Sequence, residues 1–264
     1  MTAQVSEGLV ACSPFSGVCG LPERAVLELS GADRLGFLQG LISNDVRLLG
    51  VSQPAIFAAL LNAQGRFLFD FFVFDGGEDR WLIDCDGSRA EALRTSLLRY
   101  RLRSAVTLEP RRDLGVAIGM DGGFADPRCD RLGRRVIGPR ESLPLFDPNL
   151  FNQYETIRIT QAIPDGTKDM VVEKSLLMEN NYDQYHAIAW DKGCYIGQEI
   201  TARMKYRGLV KHQLRCVQSA VELPPAGAPL LTDGIEVGVM TASRIQTERG
   251  WLGLALMRVK SAPD

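Results

Sequence analysis

One run constrains this chain more than any other: Phe67-Leu68-Phe69-Asp70-Phe71-Phe72-Val73-Phe74. It is apolar at both parities, so neither side of an extended chain here can face water, and it predicts an inner strand covered on both faces. Residues 55–61 read as a buried partner strand, and Asn62-Ala63-Gln64-Gly65 as the turn between the two. Asp70 is the exception in this run. A carboxylate among phenylalanines must be paired, hydrogen-bonded or set at a cavity wall. Two readings stay open: a salt bridge to a structural arginine, or a functional acid.

The remaining strands and helices follow from periodicity. Residues 25–29 alternate as a strand, and Ser30-Gly31-Ala32-Asp33 fits a capping box opening a helix that carries Leu35, Leu38, Leu41 and Ile42 inward. Asp75-Gly76-Gly77-Glu78-Asp79 reads as a turn into a strand at 81–85. Ser88-Arg89-Ala90-Glu91 fits a second capping box, opening a helix with Leu93, Leu97 and Leu98 inward. Arg89, Arg94, Arg99, Arg101 and Arg103 occupy its other side; they suit a solvated face or, being all arginine, an anion-binding one. Residues 106–108, 114–118 and 135–137 read as strands, with 121–130 the most loop-like stretch. Asp147-Pro148 marks an N-cap and first helical position, opening a helix toward Gln161. Residues 165–178 read as connection, and 179–190 has helical spacing. After Gly208, short strands at 213–217, 236–240 and 252–259 broken by turns predict a small antiparallel β-barrel or sandwich. The first dozen residues read as a loose lead-in.

A different kind of stretch is Lys192-Gly193-Cys194-Tyr195-Ile196-Gly197-Gln198-Glu199, followed by Arg203, Lys205 and Arg207. A core segment has no use for a thiol, a phenol, an amide, a carboxylate and several cations together, because each would need a partner when buried. Cys194 lies two residues from Lys192 with no acid between, a setting that favours thiolate. The alternative is a small buried hydrophobe.

The order K-G-C-Y-x-G-Q-E, then A-R and Y-R-G, resembles the signature of the YgfZ family of folate-binding proteins. These are relatives of the glycine-cleavage T-protein, an aminomethyltransferase, and are linked to iron–sulfur enzyme maintenance and tRNA modification. The pattern G-A-D-R-x-x-F-L-Q-G-x-x-S-N-D-V from Gly31 onward is similar to the opening of the same fold. The resemblance implies an α+β, multi-domain fold around a central cavity, with residues 1–120 and 121–208 as its first two units and 209–264 as the β-barrel. It implies tetrahydrofolate or a derivative as ligand, with Asp70, Tyr195, Gln198, Glu199, Arg203 and Arg207 as binding residues and Cys194 as the functional thiol. T-protein enzymes carry an Asp-Asp pair where this chain has Phe69-Asp70, which implies that aminomethyl transfer is lost while the pocket remains. At Arg158-Ile159-Thr160-Gln161-Ala162-Ile163-Pro164 the family's pterin-binding glutamate is replaced by Thr160, which implies weaker binding.

Bulk composition narrows the setting. A formal net charge of −2 gives no global pull toward nucleic acid, so any polyanion contact is local. Six cysteines without a C-x-x-C pair, and only His186 and His212, offer no metal-ligand spacing. Scattered cysteines predict a reducing compartment, hence the cytoplasm. No apolar stretch is long enough to span a bilayer. The residues show a thiol and a buried acid but no acid–base pair. The expectation is therefore a folate-binding accessory protein with iron–sulfur enzymes or assembly factors as partners. The rivals are a tetrahydrofolate-dependent aminomethyl- or methyltransferase and a tRNA-binding module.

Overall fold

The computed structural model describes residues 6–7, 12–119 and 121–259. Most of the lead-in lies outside these. The chain runs β1 (Ser6–Glu7), β2 (Cys19–Gly20), β3 (Arg24–Ser30), α1 (Arg34–Gln39), β4 (Ala55–Leu61), β5 (Phe67–Asp75), β6 (Arg80–Asp86) and α2 (Ala90–Leu98). It continues through β7 (Thr107–Pro110), β8 (Leu114–Ile118), β9 (Phe124–Ala125), β10 (Arg134–Pro139), α3 (Pro148–Thr160), α4 (Gly166–Asp169) and α5 (Gln198–Arg207). The last strands are β11 (His212–Ser219), β12 (Pro229–Thr232), β13 (Ile235–Thr247) and β14 (Gly250–Arg258).

The first sheet has the order β4-β5-β6-β3-β7, so β5 is an inner strand. Phe69, Phe71 and Val73 enter a core shared with α1 and α2, while Phe67, Phe72 and Phe74 enter a second core under residues 170–204. The register of β4 against β5 shifts between Leu60 and Leu61, which is how Phe67 changes face relative to Phe69. The double coverage expected from the run is thus present.

Both expected capping boxes are absent. Asp33 makes no side-chain cap bond and instead accepts the Ala105 N–H at 2.7 Å. Ser88 donates its hydroxyl to Asp86, whose carboxylate also takes the Ser88 N–H. The helix α1 stops at Gln39, and Leu35 is 46% exposed rather than core. Asp147 does cap α3, accepting the N–H groups of Asn149 and Leu150. The helical spacing at 179–190 yields no α-helix but a short 3-10 helix, Met178–Asn180, followed by turns, because Asn181 and then His186 take positive φ there.

A second sheet, β2-β8-β10-β9, packs against α3 and draws strands from both sides of position 120. The C-terminal sheet has the order β1-β11-β14-β13-β12. Its described pairings leave β1 and β12 as edges, so it is an open sheet rather than the expected closed barrel. Strands of this length close only when the end strands meet, and β12 pairs with β13 alone. Among the described residues no helix is long and apolar enough to cross a membrane.

Candidate functional site

Between the first sheet and the α3–α4 segment lies a narrow cavity of about 70 Å³ with an open mouth. Asp70 stands on the side of β5 that faces it. Its Oδ2 accepts the Tyr182 hydroxyl at 3.0 Å and the Gly166 N–H at 3.2 Å. No arginine forms an ion pair with it among the described contacts, which removes the structural salt-bridge reading. Burial, and then the Asp165 carboxylate nearby, push the Asp70 carboxyl up to about 6. The fit is close. A Cβ on Gly166 would sit 2.1 Å from Asp70 Oδ1, so only glycine leaves room for the acid.

Asp165 is the second acid that the sequence does not reveal. It caps α4 by accepting the N–H groups of Thr167 and Lys168. Burial opposes its ionisation, but Arg158, Lys168 and Arg24 outweigh that and hold it down at about 2. Two carboxyls with opposite shifts therefore line one cavity.

The facing wall is cationic. Asp84, fully buried, receives Arg24 Nε and Arg135 Nε, each at 2.6 Å. Arg128 pairs with Asp126 at 2.9 and 2.8 Å and donates to the Tyr154 hydroxyl at 2.7 Å. The guanidinium groups of Arg135 and Arg128 stack on Phe72 at 4.3 and 4.8 Å from the ring centre. Arg135 is 2% exposed, yet its Nη1 has no hydrogen-bond acceptor; the Asp126 carboxylate stands 3.9 Å away. Residues 121–130, which read as loop, thus supply a buried ion pair to the cavity wall.

Behind the cavity, Arg158 ties three elements together. It donates to Glu155, the Ile163 carbonyl, Asp169 and Ser243, joining α3, α4 and β13. Thr160, expected at the pterin, does not line this cavity. It is buried with its hydroxyl on the Ile157 carbonyl at 2.9 Å and beside the Cys12 thiol at 3.2 Å.

The octapeptide stands apart from Asp70. Lys192 is buried and donates to the carbonyls of Ile42 and Asn44 at 2.7 and 2.6 Å. Its ammonium is spent on the 42–44 loop, which corrects the expectation that it serves the thiolate. Burial brings it down to about 8. Tyr195 packs in the core that holds Phe67 and Tyr182, and burial raises its phenol to about 12. Gln198 Oε1 accepts the Tyr195 N–H at 3.1 Å. Glu199 and Arg203 pair at 2.5 Å on the exposed side of α5, and Arg207 is exposed near its end. None of these five predicted binding residues lines the Asp70 cavity. Cys194 is the one exposed cysteine of the six. Buried Cys85 and Cys216 are pushed up to about 12 and about 11, where they carry little thiolate at neutral pH. Among the described residues no cluster of His, Cys, Asp and Glu is placed to hold a metal ion.

The fold belongs to a known class. The chain superposes on the glycine cleavage system aminomethyltransferase T of Bartonella henselae with a TM-score of 0.70, covering 93% of this chain and 79% of that one at 10% identity. This likeness defines the fold. No family model matches the sequence. Comparison of sequences goes further. The chain is 30% identical to the mouse (Mus musculus) iron–sulfur cluster assembly factor IBA57, mitochondrial, over 95% of this chain and 81% of that protein. Its counterpart in Homo sapiens is 30% identical over 90% and 76% of the two chains, and the homologue in Pyricularia oryzae 31% over 94% and 73%. The chain belongs to the IBA57 family of iron–sulfur cluster assembly factors. The cytoplasmic expectation is corrected here, since these relatives are named as mitochondrial. Unpaired cysteines separate reducing from oxidising compartments, not one reducing compartment from another.

Proposed function

We propose that this chain supports the assembly or repair of iron–sulfur cluster enzymes, tRNA-modifying ones among them, as a YgfZ-type protein that binds a reduced folate. The observation carrying the folate reading is Asp70, a carboxylate without a cation partner, held by Tyr182 and Gly166 in an aromatic and cationic cavity. A pterin edge offers ring N–H donors for Asp70 and Asp165, and a ring carbonyl for the unpartnered Nη1 of Arg135. Phe57 and Phe72 supply apolar floor beneath it. Cys194, exposed beside α5, is the thiol that meets the assembly partner or its cluster.

Isothermal titration with tetrahydrofolate tests the first part. Heat is expected from the wild type and a sharp loss from Arg135→Met; no heat at millimolar ligand removes folate from the account. Complementation of iron–sulfur enzyme activity by Cys194→Ser at equal protein level tests the second. Wild-type activity would end the thiol's role.

One observation favours the transferase rival: Asp165 restores the acid pair that Phe69-Asp70 lacks. Turnover of a methylamine-type donor with tetrahydrofolate, lost in Asp70→Asn, is the sign of that activity.

A further inference from the structure

The five arginines that read as one face separate into two groups. Arg89 donates to the Leu68 carbonyl at 2.7 Å and stacks on Phe69 at 4.3 Å. Arg94 bonds the Leu108 carbonyl and pairs with Glu91 and Glu109. Both hold α2 to the first sheet and are structural. Arg99, Arg101 and Arg103 are exposed, and no described residue pairs with their side chains. They alternate with Tyr100, 44% exposed, and Leu102, 90% exposed.

Leu102 is the odd member of this group. The Ser104 N–H bonds the Arg101 carbonyl at 2.8 Å, closing a turn with Leu102 at its second position and φ +45°. That position and that sign of φ favour glycine, so a leucine there sets backbone preference against whatever its side chain does. It touches no core, being almost wholly in water. The loop is nonetheless fixed. The Asp33 carboxylate takes the Ala105 N–H, and Gly31, at φ +116°, lies so close to the Ala105 carbonyl that a Cβ would meet it at 2.1 Å. Beside it runs a surface groove between Gly31 and residues 101–107.

We infer that this loop is a docking surface for a protein partner whose acidic rim surrounds an apolar socket. Leu102 fills the socket, Tyr100 packs at its side, and the three arginines take carboxylates in forked pairs. Charge complementarity selects the partner: the chain is net negative as a whole, so an acidic partner is drawn to a local cationic cluster such as this loop and not to the molecule at large. RNA would satisfy the arginines but has no place for an aliphatic side chain set out at a turn. An anionic membrane would meet Glu91 and Glu109, largely exposed next to Arg94. Preorganisation by Asp33 and Gly31 spares the partner the ordering cost. This surface is independent of the folate cavity.

A photo-crosslinking aromatic residue at position 100 in the full chain, expressed in cells, keeps Leu102 in place; the same residue at Val51, 86% exposed, is the control. The expected adduct forms at position 100 and not at 51, resists nuclease and contains a protein. That protein, purified, should then bind the intact chain about tenfold or more weakly after Leu102→Gly, and likewise after Arg99→Glu, Arg101→Glu and Arg103→Glu combined. Leu102→Gly should meanwhile raise or hold the melting temperature, because it relieves the turn. No adduct above the control, a nuclease-sensitive adduct, a lipid adduct, or equal binding by the variants each overturns the assignment.

Discussion

Asp70→Asn should make the protein more stable at neutral pH and less able to bind folate. Folded, the Asp70 carboxyl titrates near about 6; unfolded it titrates near about 4. A folded pKa raised above the unfolded one means that stability is fully present in acid and falls as pH rises from about 4 to about 6. Above that window the cost levels off at about 3 kcal/mol, two pH units at about 1.36 kcal/mol each. Asparagine keeps an oxygen for the Tyr182 hydroxyl and the Gly166 N–H, and its NH2 group meets the Asp165 side instead of repelling it. Urea denaturation of both proteins from pH 4 to pH 8 gives the difference directly. It should be small at pH 4, grow to about 3 kcal/mol by pH 6.5 and stay flat beyond, or about 6 °C in melting temperature for a chain of this size. A difference independent of pH, or a variant less stable at pH 7.5, would refute the claim that the native fold holds a costly carboxylate there.

Gly166→Ala should push the Asp70 carboxylate off its two donors, lowering stability by about 1–3 kcal/mol and abolishing the folate heat, as urea midpoint and titration would show together. Arg158→Met leaves Asp169 and Glu155 without their shared cation, so the urea midpoint should fall by the equivalent of about 3–5 kcal/mol. Thr160→Glu should not tighten folate binding; it buries a carboxylate where the threonine is 4% exposed, and should cost about 2 kcal/mol or more at pH 7, with a smaller loss at pH 5 where the glutamate protonates.

Strands were legible wherever apolar residues recur at strand spacing, as at Phe67–Asp75, because burial on two faces leaves a pattern in one dimension. The caps were not. Asp33 and Ser88 sit at the right places for capping boxes, but nearby backbone and carboxyl groups claim their side chains first. Asp70 was visible as an acid in an apolar run. Its companions were not, because Asp165 and Arg128 come from segments that read as connection and loop, and Arg135 from a short strand with no alternating apolar pattern around it; they become buried only when these elements close on one cavity. The sequence resemblance pointed to both Asp70 and the octapeptide but carried no distance between them. In the fold they are different places, and Lys192 belongs to the packing of one rather than the chemistry of the other.

The pairing of β1 with β11 sets an order of events. Ser6 lies opposite Gln218 and Glu7 opposite Val217, so a strand from the beginning of this sequence waits for one more than two hundred residues later. The Arg158–Asp169–Ser243 junction also waits, over a shorter separation of 85 residues from Arg158 in α3 to Ser243 in β13. During synthesis the first sheet has every strand it needs once Pro110 has emerged, while the edge of β1 stays open and the buried charge of Arg158 stays without its last partner. The C-terminal sheet therefore acts as a latch that closes late, and the slow step of folding is expected to be its closure rather than the collapse of the aromatic core.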